Sequence, residues 1–219
     1  MASASGDFIL GVDLDGVCGD YSNALRQVVA AEKGLDLATL PVQASWDFLE
    51  WDLGPGEFLE LHRKAVLEHR IFRSMPPVAG AADALWRMSD AGIWIRIITH
   101  RLYGNWGHAV AVGDTVAWLD SVGIPYRDLC FLGAKPQVEA DCYIDDAPHN
   151  VDALRASGAY VIVFDQLYNR DLDGPRAADW TEAEELVGAR VAESGFTLQS
   201  ALPGFEDVPS RVTRRAHPS

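Results

Sequence analysis

The sequence predicts an α/β fold: a doubly wound parallel sheet with a small helical cap inserted after its first strand. Three observations predict it. Short apolar runs stop abruptly on polar residues, as strands buried on both faces do. Helical patterns closed by glycine lie between those runs. A long segment after the first run carries helical patterns and no strand, which is more chain than a crossover between parallel strands needs.

The elements follow in order. Residues 8–12, Phe-Ile-Leu-Gly-Val, form the first strand, which stops at Asp13. Residues 20–77 hold helical stretches at 22–33, in a tryptophan-rich segment at 46–51, and at 57–70; Pro76-Pro77 marks the return. In residues 79–91, Ala81, Ala84, Leu85 and Met88 share a helical face, and Gly92 follows. The second strand, 93–98, ends at Thr99. A helix at 115–122 places Val116, Leu119 and Val122 on one side, with Gly123 after it. Strands at 129–132 and 142–144 come next, the latter ending at Asp145; a helix at 151–157 and a strand at 160–164 complete the alternation. The expected division is a core of 1–19 and 78–195, a cap of 20–77 and a tail of 196–219. That tail is rich in Pro, Ser and Arg without periodicity, and its cluster Arg211, Arg214 and Arg215 reads as a solvated end rather than a binding patch.

Composition narrows the function. The chain has 219 residues, 48% of them hydrophobic, which excludes wholesale disorder. Its 32 acidic and 18 basic side chains leave a net charge of −14, a poor match for the backbone of a nucleic-acid polymer. No run approaches the ~20 apolar residues of a membrane helix. Residues 1–7 have neither the basic nor the apolar region of a secretory signal. Three cysteines, Cys18, Cys130 and Cys142, lack the spacing of a zinc site and are too few for a disulfide framework. A reducing cytoplasm is the expected compartment.

In open α/β sheets, ligands bind beyond the carboxyl ends of the strands. Here those ends carry Asp13-Leu14-Asp15-Gly16, Thr99-His100-Arg101 and Asp145-Asp146, with Lys135 just after the third strand. Two carboxylates about 4 Å apart repel by roughly 4 kcal/mol at an effective dielectric near 20. Four in one crevice call for protonation or a cation. Oxygen ligands without His or Cys favour Mg²⁺, which in turn binds phosphate.

The set Asp13-x-Asp15-Gly16, Thr99, Lys135 and Asp145-Asp146 resembles the haloacid dehalogenase superfamily of aspartate-nucleophile phosphotransferases. More narrowly, the block from Val12 to Tyr21 and the ten-residue step from Lys135 to Asp145 resemble the 5'(3')-deoxyribonucleotidases. Two departures stand out. That family usually has Thr-Ser-Pro where this chain has Thr99-His100-Arg101, and often an arginine where it has Gly133.

The resemblance implies a chemistry. Asp13 attacks phosphorus to give an aspartyl-phosphate, and Asp15 protonates the leaving alkoxide, then deprotonates the hydrolytic water. Mg²⁺ is held by Asp13, the backbone carbonyl of Asp15 and the acids at the fourth strand, Asp146 directly and Asp145 through water. Thr99, Lys135 and the backbone beside His100 bind the phosphoryl oxygens. The implied partner is a small phosphate ester, with neither a nucleic-acid polymer nor a membrane, and the chain is a possible homodimer. The best-fitting substrate is a nucleoside or deoxynucleoside 5'-monophosphate. A phosphatase of another small ester, such as a sugar phosphate, and a non-catalytic phosphate-binding module are the alternatives.

Several residues admit a plainer role. Asp145 or Asp146 also suits a helix cap. Trp46, Phe48 and Trp51 serve either as the core of a small cap or as a stacking surface, with Trp46 and Tyr21 the better ligand candidates. His100 either donates to phosphate or caps its loop. Cys18, beside the candidate nucleophile, has no base near it in sequence and reads as packing.

Overall fold

A computed structural model describes residues 7–196. Six strands form a single parallel sheet: β1 Ile9–Val12, β2 Trp94–Thr99, β3 Asp128–Phe131, β4 Cys142–Asp145, β5 Val161–Phe164 and β6 Arg176–Ala177. Their order is β3-β2-β1-β4-β5-β6, so the chain winds outward from β1 and then crosses to its other side. The carboxyl ends of β1 and β4 therefore meet at the point where the order reverses, the usual ligand crevice of such sheets. Register sharpens this. Val12 pairs with Ile97 on one side and Ile144 on the other, and the Asp13 amide donates to the Ile144 carbonyl at 3.0 Å. Asp13 and Asp145 thus emerge side by side.

Among the described residues seven helices accompany the sheet: α1 Tyr21–Lys33, α2 Glu57–Leu67, α3 Ile71–Ser74, α4 Ala81–Asp90, α5 His108–Val122, α6 Pro148–Ala156 and α7 Trp180–Ser194. Asp20 caps α1 by accepting the Asn23 amide, and Gly34 ends it in the left-handed conformation. The first four lie between β1 and β2. Buried side chains of α2 and α3, including Leu61 and Phe72, and Phe48 and Trp51 from the segment before α2 belong to the same contiguous cluster as Leu10, Leu85 and Trp118. No helix among the described residues is long and apolar enough to cross a membrane. Arg211, Arg214, Arg215 and nearly all of the expected tail lie outside the described residues.

Four expectations change. The stretch at 46–51 is only a 3-10 turn, Leu49–Trp51, flanked by Phe48 and Asp52 in left-handed backbone. Side chains supply its order: the Glu50 carboxylate accepts the Ala44 amide at 2.6 Å and the Ser45 hydroxyl at 2.7 Å. The helix expected over 57–70 stops at Leu67 and restarts at Ile71, because Arg70 turns left-handed (φ 55°). Its guanidinium grips buried Asp114 of α5 through two 2.6 Å bonds, a tertiary reward that local propensity cannot show. Helix α5 begins at His108 rather than 115, with Gly107 at its start and no capping side chain. The expectation also stops at strand 160–164, whereas β6 and α7 follow.

The turn after β1 is tight. Gly16 has φ 84°, and a Cβ there would lie 2.0 Å from the Asp146 carboxylate and 2.8 Å from the Tyr168 hydroxyl. Gly16→Ala should cost at least about 2 kcal/mol, combining backbone strain with overpacking. Urea unfolding measures it; an unchanged midpoint would show that the turn relaxes freely.

Candidate active site

Four segments converge at the crevice. The end of β1 supplies Asp13 and Asp15, the end of β2 supplies Thr99, His100 and Arg101, and the end of β4 supplies Asp145 and Asp146. A 3-10 turn, Lys135–Gln137, supplies Lys135. The Lys135 ammonium is buried and lies 2.6 Å from a carboxylate oxygen of Asp13 and 2.6 Å from one of Asp145. The other Asp145 oxygen accepts the Ala147 amide at 3.0 Å and the Asn150 side chain at 3.3 Å. Asp145 therefore steadies the start of α6, the plainer role the sequence also allowed. Asp146 accepts a short hydrogen bond from the Tyr168 hydroxyl, and its carbonyl accepts the Asn169 amide group at 2.8 Å.

Crowding shows in the proton affinities. Burial, reinforced by the charges of Asp145 and Asp15, pushes Asp13 up to about 7 despite the opposing pull of Lys135. Burial and the neighbouring Asp13 and Asp145 hold Asp146 well above the carboxylate range. Burial alone would lower Lys135, but Asp13 and Asp145 outweigh it and raise the ammonium above its usual value. Asp13, Asp145 and Asp146 each place a carboxylate oxygen within 4.8 Å of the others. Three buried carboxylates thus crowd together with two of them paired to one ammonium, and the donors are oxygen only, without His or Cys. That set fits a hard divalent cation such as Mg²⁺. The Asp15 carboxylate stands outside this trio, which leaves only its backbone for the metal role expected of it.

Asp15 has a partner that sequence reasoning missed. Arg101 holds both of its oxygens, at 3.0 Å through Nε and 2.6 Å through Nη2. The guanidinium is itself locked: it donates to the Thr115 hydroxyl at 2.9 Å and lies 4.2 Å over the Phe72 ring. The one available signal was an arginine where a buried strand end should be apolar or small.

A cavity of about 520 Å³ opens above these acids. Asp13, Asp15, Asp146, His100, Tyr21 and Trp46 line it, while Lys135 and Asp145 lie beneath Asp13. The Thr99 hydroxyl is buried and has no hydrogen-bond partner among the described residues. Exposed His100 sits 5.6 Å from the Tyr103 ring, and its Nε2 takes the room of a side chain at Gly133, where a Cβ would lie 2.9 Å away. The two departures from the family pattern are therefore one: the missing side chain makes space for the imidazole. Burial, His149 and Lys135 lower the proton affinity of His100.

Trp46 is 41% exposed and rests on His149 and Tyr168, whereas Phe48 and Trp51 are buried and face each other at 4.7 Å. Trp46 thus belongs to the cavity and Trp51 to the core, with Phe48 reaching both. Tyr21 bonds to His62, a residue sequence reasoning also missed. Cys18 is buried, and burial raises its thiol well above the reactive range.

Comparison with known proteins agrees with this geometry. The model of the family described as "5' nucleotidase, deoxy (Pyrimidine), cytosolic type C protein" matches residues 7–193. A Chlorobaculum tepidum protein named "Putative 5'(3')-deoxyribonucleotidase" is 45% identical over 184 residues, spanning 84% of this chain and 91% of that protein. Among solved structures, a haloacid dehalogenase-like family hydrolase from Streptococcus pneumoniae superposes with TM-score 0.57 at 11% identity, over 83% of this chain and 98% of that one. A HAD family hydrolase from Deinococcus radiodurans, with bound phosphate and sodium, gives TM-score 0.51 at 18% identity, over 89% and 98% of the two chains. The structural likenesses establish the fold, that of haloacid dehalogenase-like hydrolases, and the sequence matches establish the family: this chain belongs to the cytosolic type C 5' nucleotidase family and is a phosphoric monoester hydrolase.

Proposed function

We propose that this enzyme is a Mg²⁺-dependent phosphatase of nucleoside or deoxynucleoside 5'-monophosphates, acting in the cytoplasm through an aspartyl-phosphate on Asp13. One observation carries the reading. Asp13 lies at the floor of an aromatic-walled cavity, with Asp15 lining the same cavity and the Lys135 ammonium 2.6 Å from the Asp13 carboxylate.

In this reading an Asp13 oxygen attacks phosphorus in line while the ester oxygen departs. Asp15 gives that oxygen a proton and then takes one from the water that hydrolyses the acyl phosphate. Lys135 favours the ionised, attacking form of Asp13 against the cost of burial. The unpartnered Thr99 hydroxyl, Lys135 and the backbone beside His100 are the donors for phosphoryl oxygens. Arg101 keeps the Asp15 carboxylate turned toward the cavity. Asp13, Asp146 and the Asp15 carbonyl would hold Mg²⁺, with Asp145 as an outer partner; when bound, the ion offsets charge on the phosphoryl oxygens. A cavity of about 520 Å³ with aromatic walls suits a planar base attached to the leaving alcohol. The exchange of His100 and Gly133 for the family's usual residues favours a second reading, a phosphate ester without a base.

A panel of nucleoside and sugar monophosphates, compared by kcat/KM, separates the two: the nucleotides should lead by about tenfold or more. A sugar phosphate in the lead would replace the first reading with the second. Chelation should abolish turnover and Mg²⁺ restore it. Asp13→Asn should lower kcat by at least about 10³-fold with the fold intact, and appreciable residual turnover would remove the covalent step.

Stability carries an independent signature. Folded Asp13 titrates at about 7 against an ordinary 3.8, so it binds its proton more tightly than the unfolded chain does. Its contribution is fully present below pH 4 and is lost as pH rises through 7. Asparagine has no proton to lose. In chelator, Asp13→Asn should therefore gain on the parent by roughly 3 kcal/mol between pH 4 and pH 8, read from urea unfolding at each pH. A difference that does not change with pH would contradict the burial argument.

A further inference from the structure

His62, on α2, stands among the aromatic walls of the cavity with one ring nitrogen bonded and the other free. It is 6% exposed. Its Nδ1 lies 2.7 Å from the Tyr21 hydroxyl, and Nε2 has no hydrogen-bond partner among the described residues. The ring stacks on Phe58 at 5.9 Å and meets Phe72 and Tyr103 edge-on or tilted, and it lines the same cavity as Asp13 and Asp15. A polar atom without a partner on a residue that lines a cavity points to a ligand.

The proton on His62 can be placed. Burial pushes the imidazole down to about 4, so it is neutral at pH 7 and carries a single N–H. Burial also keeps the Tyr21 phenol protonated. If Nδ1 held the imidazole proton, the Tyr21 O–H would have no acceptor among the described residues. If Tyr21 donates to Nδ1 instead, that bond is satisfied and Nε2 carries a hydrogen into the cavity.

Position gives this donor its use. Arg101 grips Asp15 and covers the Phe72 ring at 4.2 Å, and His62 meets the same ring edge-on at 6.1 Å. Phe72 thus touches both the imidazole and the guanidinium that holds the acid. An ester attacked by Asp13 and protonated by Asp15 places its leaving alcohol in this part of the cavity.

We infer that His62 is a specificity-determining residue whose Nε2–H donates to a hydrogen-bond acceptor on the edge of a planar ring in the leaving alcohol. For a nucleotide the fitting acceptor is a ring carbonyl oxygen, such as those of uracil or thymine. An amino group in the same place would set donor against donor. The inference rests on the phosphatase reading above and deepens it by naming the group that is read.

The test compares deoxyuridine 5'-monophosphate with 2-deoxyribose 5-phosphate, which lacks the base, using the Mg²⁺-loaded enzyme. His62→Phe keeps the aromatic wall and removes the donor. It should lower kcat/KM for the nucleotide about tenfold or more, chiefly through KM, and for the sugar phosphate less than about threefold. His62→Gln, which retains an N–H donor, should recover part of the loss. Tyr21→Phe releases Nδ1 and should reproduce the selective loss in smaller measure, about threefold, which decides the matter if His62→Phe fails to fold. Equal losses on both esters would assign His62 to packing alone and overturn the inference, as would unchanged kinetics. A parent enzyme inactive on both esters would sink the phosphatase reading and this inference with it. A parent active on the nucleotide with an unselective variant would sink the inference alone.

Discussion

The Lys135 ammonium wedged between Asp13 and Asp145 is the contact on which the rest of the site depends. Parallel pairing of β1 with β4 brings the two carboxylates out side by side, and neither strand can move without separating them. Burying an ion costs several kcal/mol unless partners compensate, and here one cation at 2.6 Å serves two anions. The compensation is incomplete: a third buried carboxylate, Asp146, has only the Tyr168 hydroxyl as a side-chain partner among the described residues. Such a site stores unfavourable charge in the ligand-free protein, and the remaining core holds it in place.

Asp13 and Asp15 are two residues apart in sequence yet live in different electrostatic surroundings. Asp13 is buried over Lys135 beside two like charges, while Asp15 faces the cavity within the fork of Arg101. Dividing two neighbouring carboxylates in this way is how one short loop can present a nucleophile and a proton carrier with distinct roles. The tight turn at Gly16 makes the division possible, since a side chain there would strike Asp146.

How much of this was legible in the sequence follows from the range of each interaction. Strand ends were readable because a buried apolar run must stop where a charge begins, and parallel pairing then gathers those ends on one edge. Asp13, Asp15, Asp145 and Asp146 were read on that ground, and Lys135 only on its ten-residue step to Asp145, a spacing that resembles the nucleotidases. The Arg101–Asp15 pair spans 86 residues, Tyr21–His62 spans 41 and Tyr168–Asp146 spans 22, and no local pattern announces any of them. The break at Arg70 belongs with these, because its reason is Asp114, 44 residues away. Helix α7 is a different case. Trp180, Ala183, Val187 and Val191 form a buried stripe at helical spacing behind the capping residue Asp179, so its signal was local and was there to be read.

Charge counting ties the floor of the cavity to its ligand. Asp13, Asp15, Asp145 and Asp146 bring up to four negative charges, and Lys135 and Arg101 return two. Both of those cations already lie within 2.6 Å of carboxylates, so a phosphate dianion would share their charge with those anions rather than have it to itself. The chain as a whole, at −14, offers no attraction at longer range. At an effective dielectric near 20, each pair of like charges 4 Å apart opposes binding by about 4 kcal/mol. An anion can therefore settle against Asp13 only if protons or about two further positive charges come with it. Protonating Asp13 would disable the attacking oxygen, whereas Asp146, already held well above the carboxylate range, can keep a proton without that loss; a proton on Asp146 or a hard cation among Asp13, Asp145 and Asp146 restores the balance and spares the nucleophile.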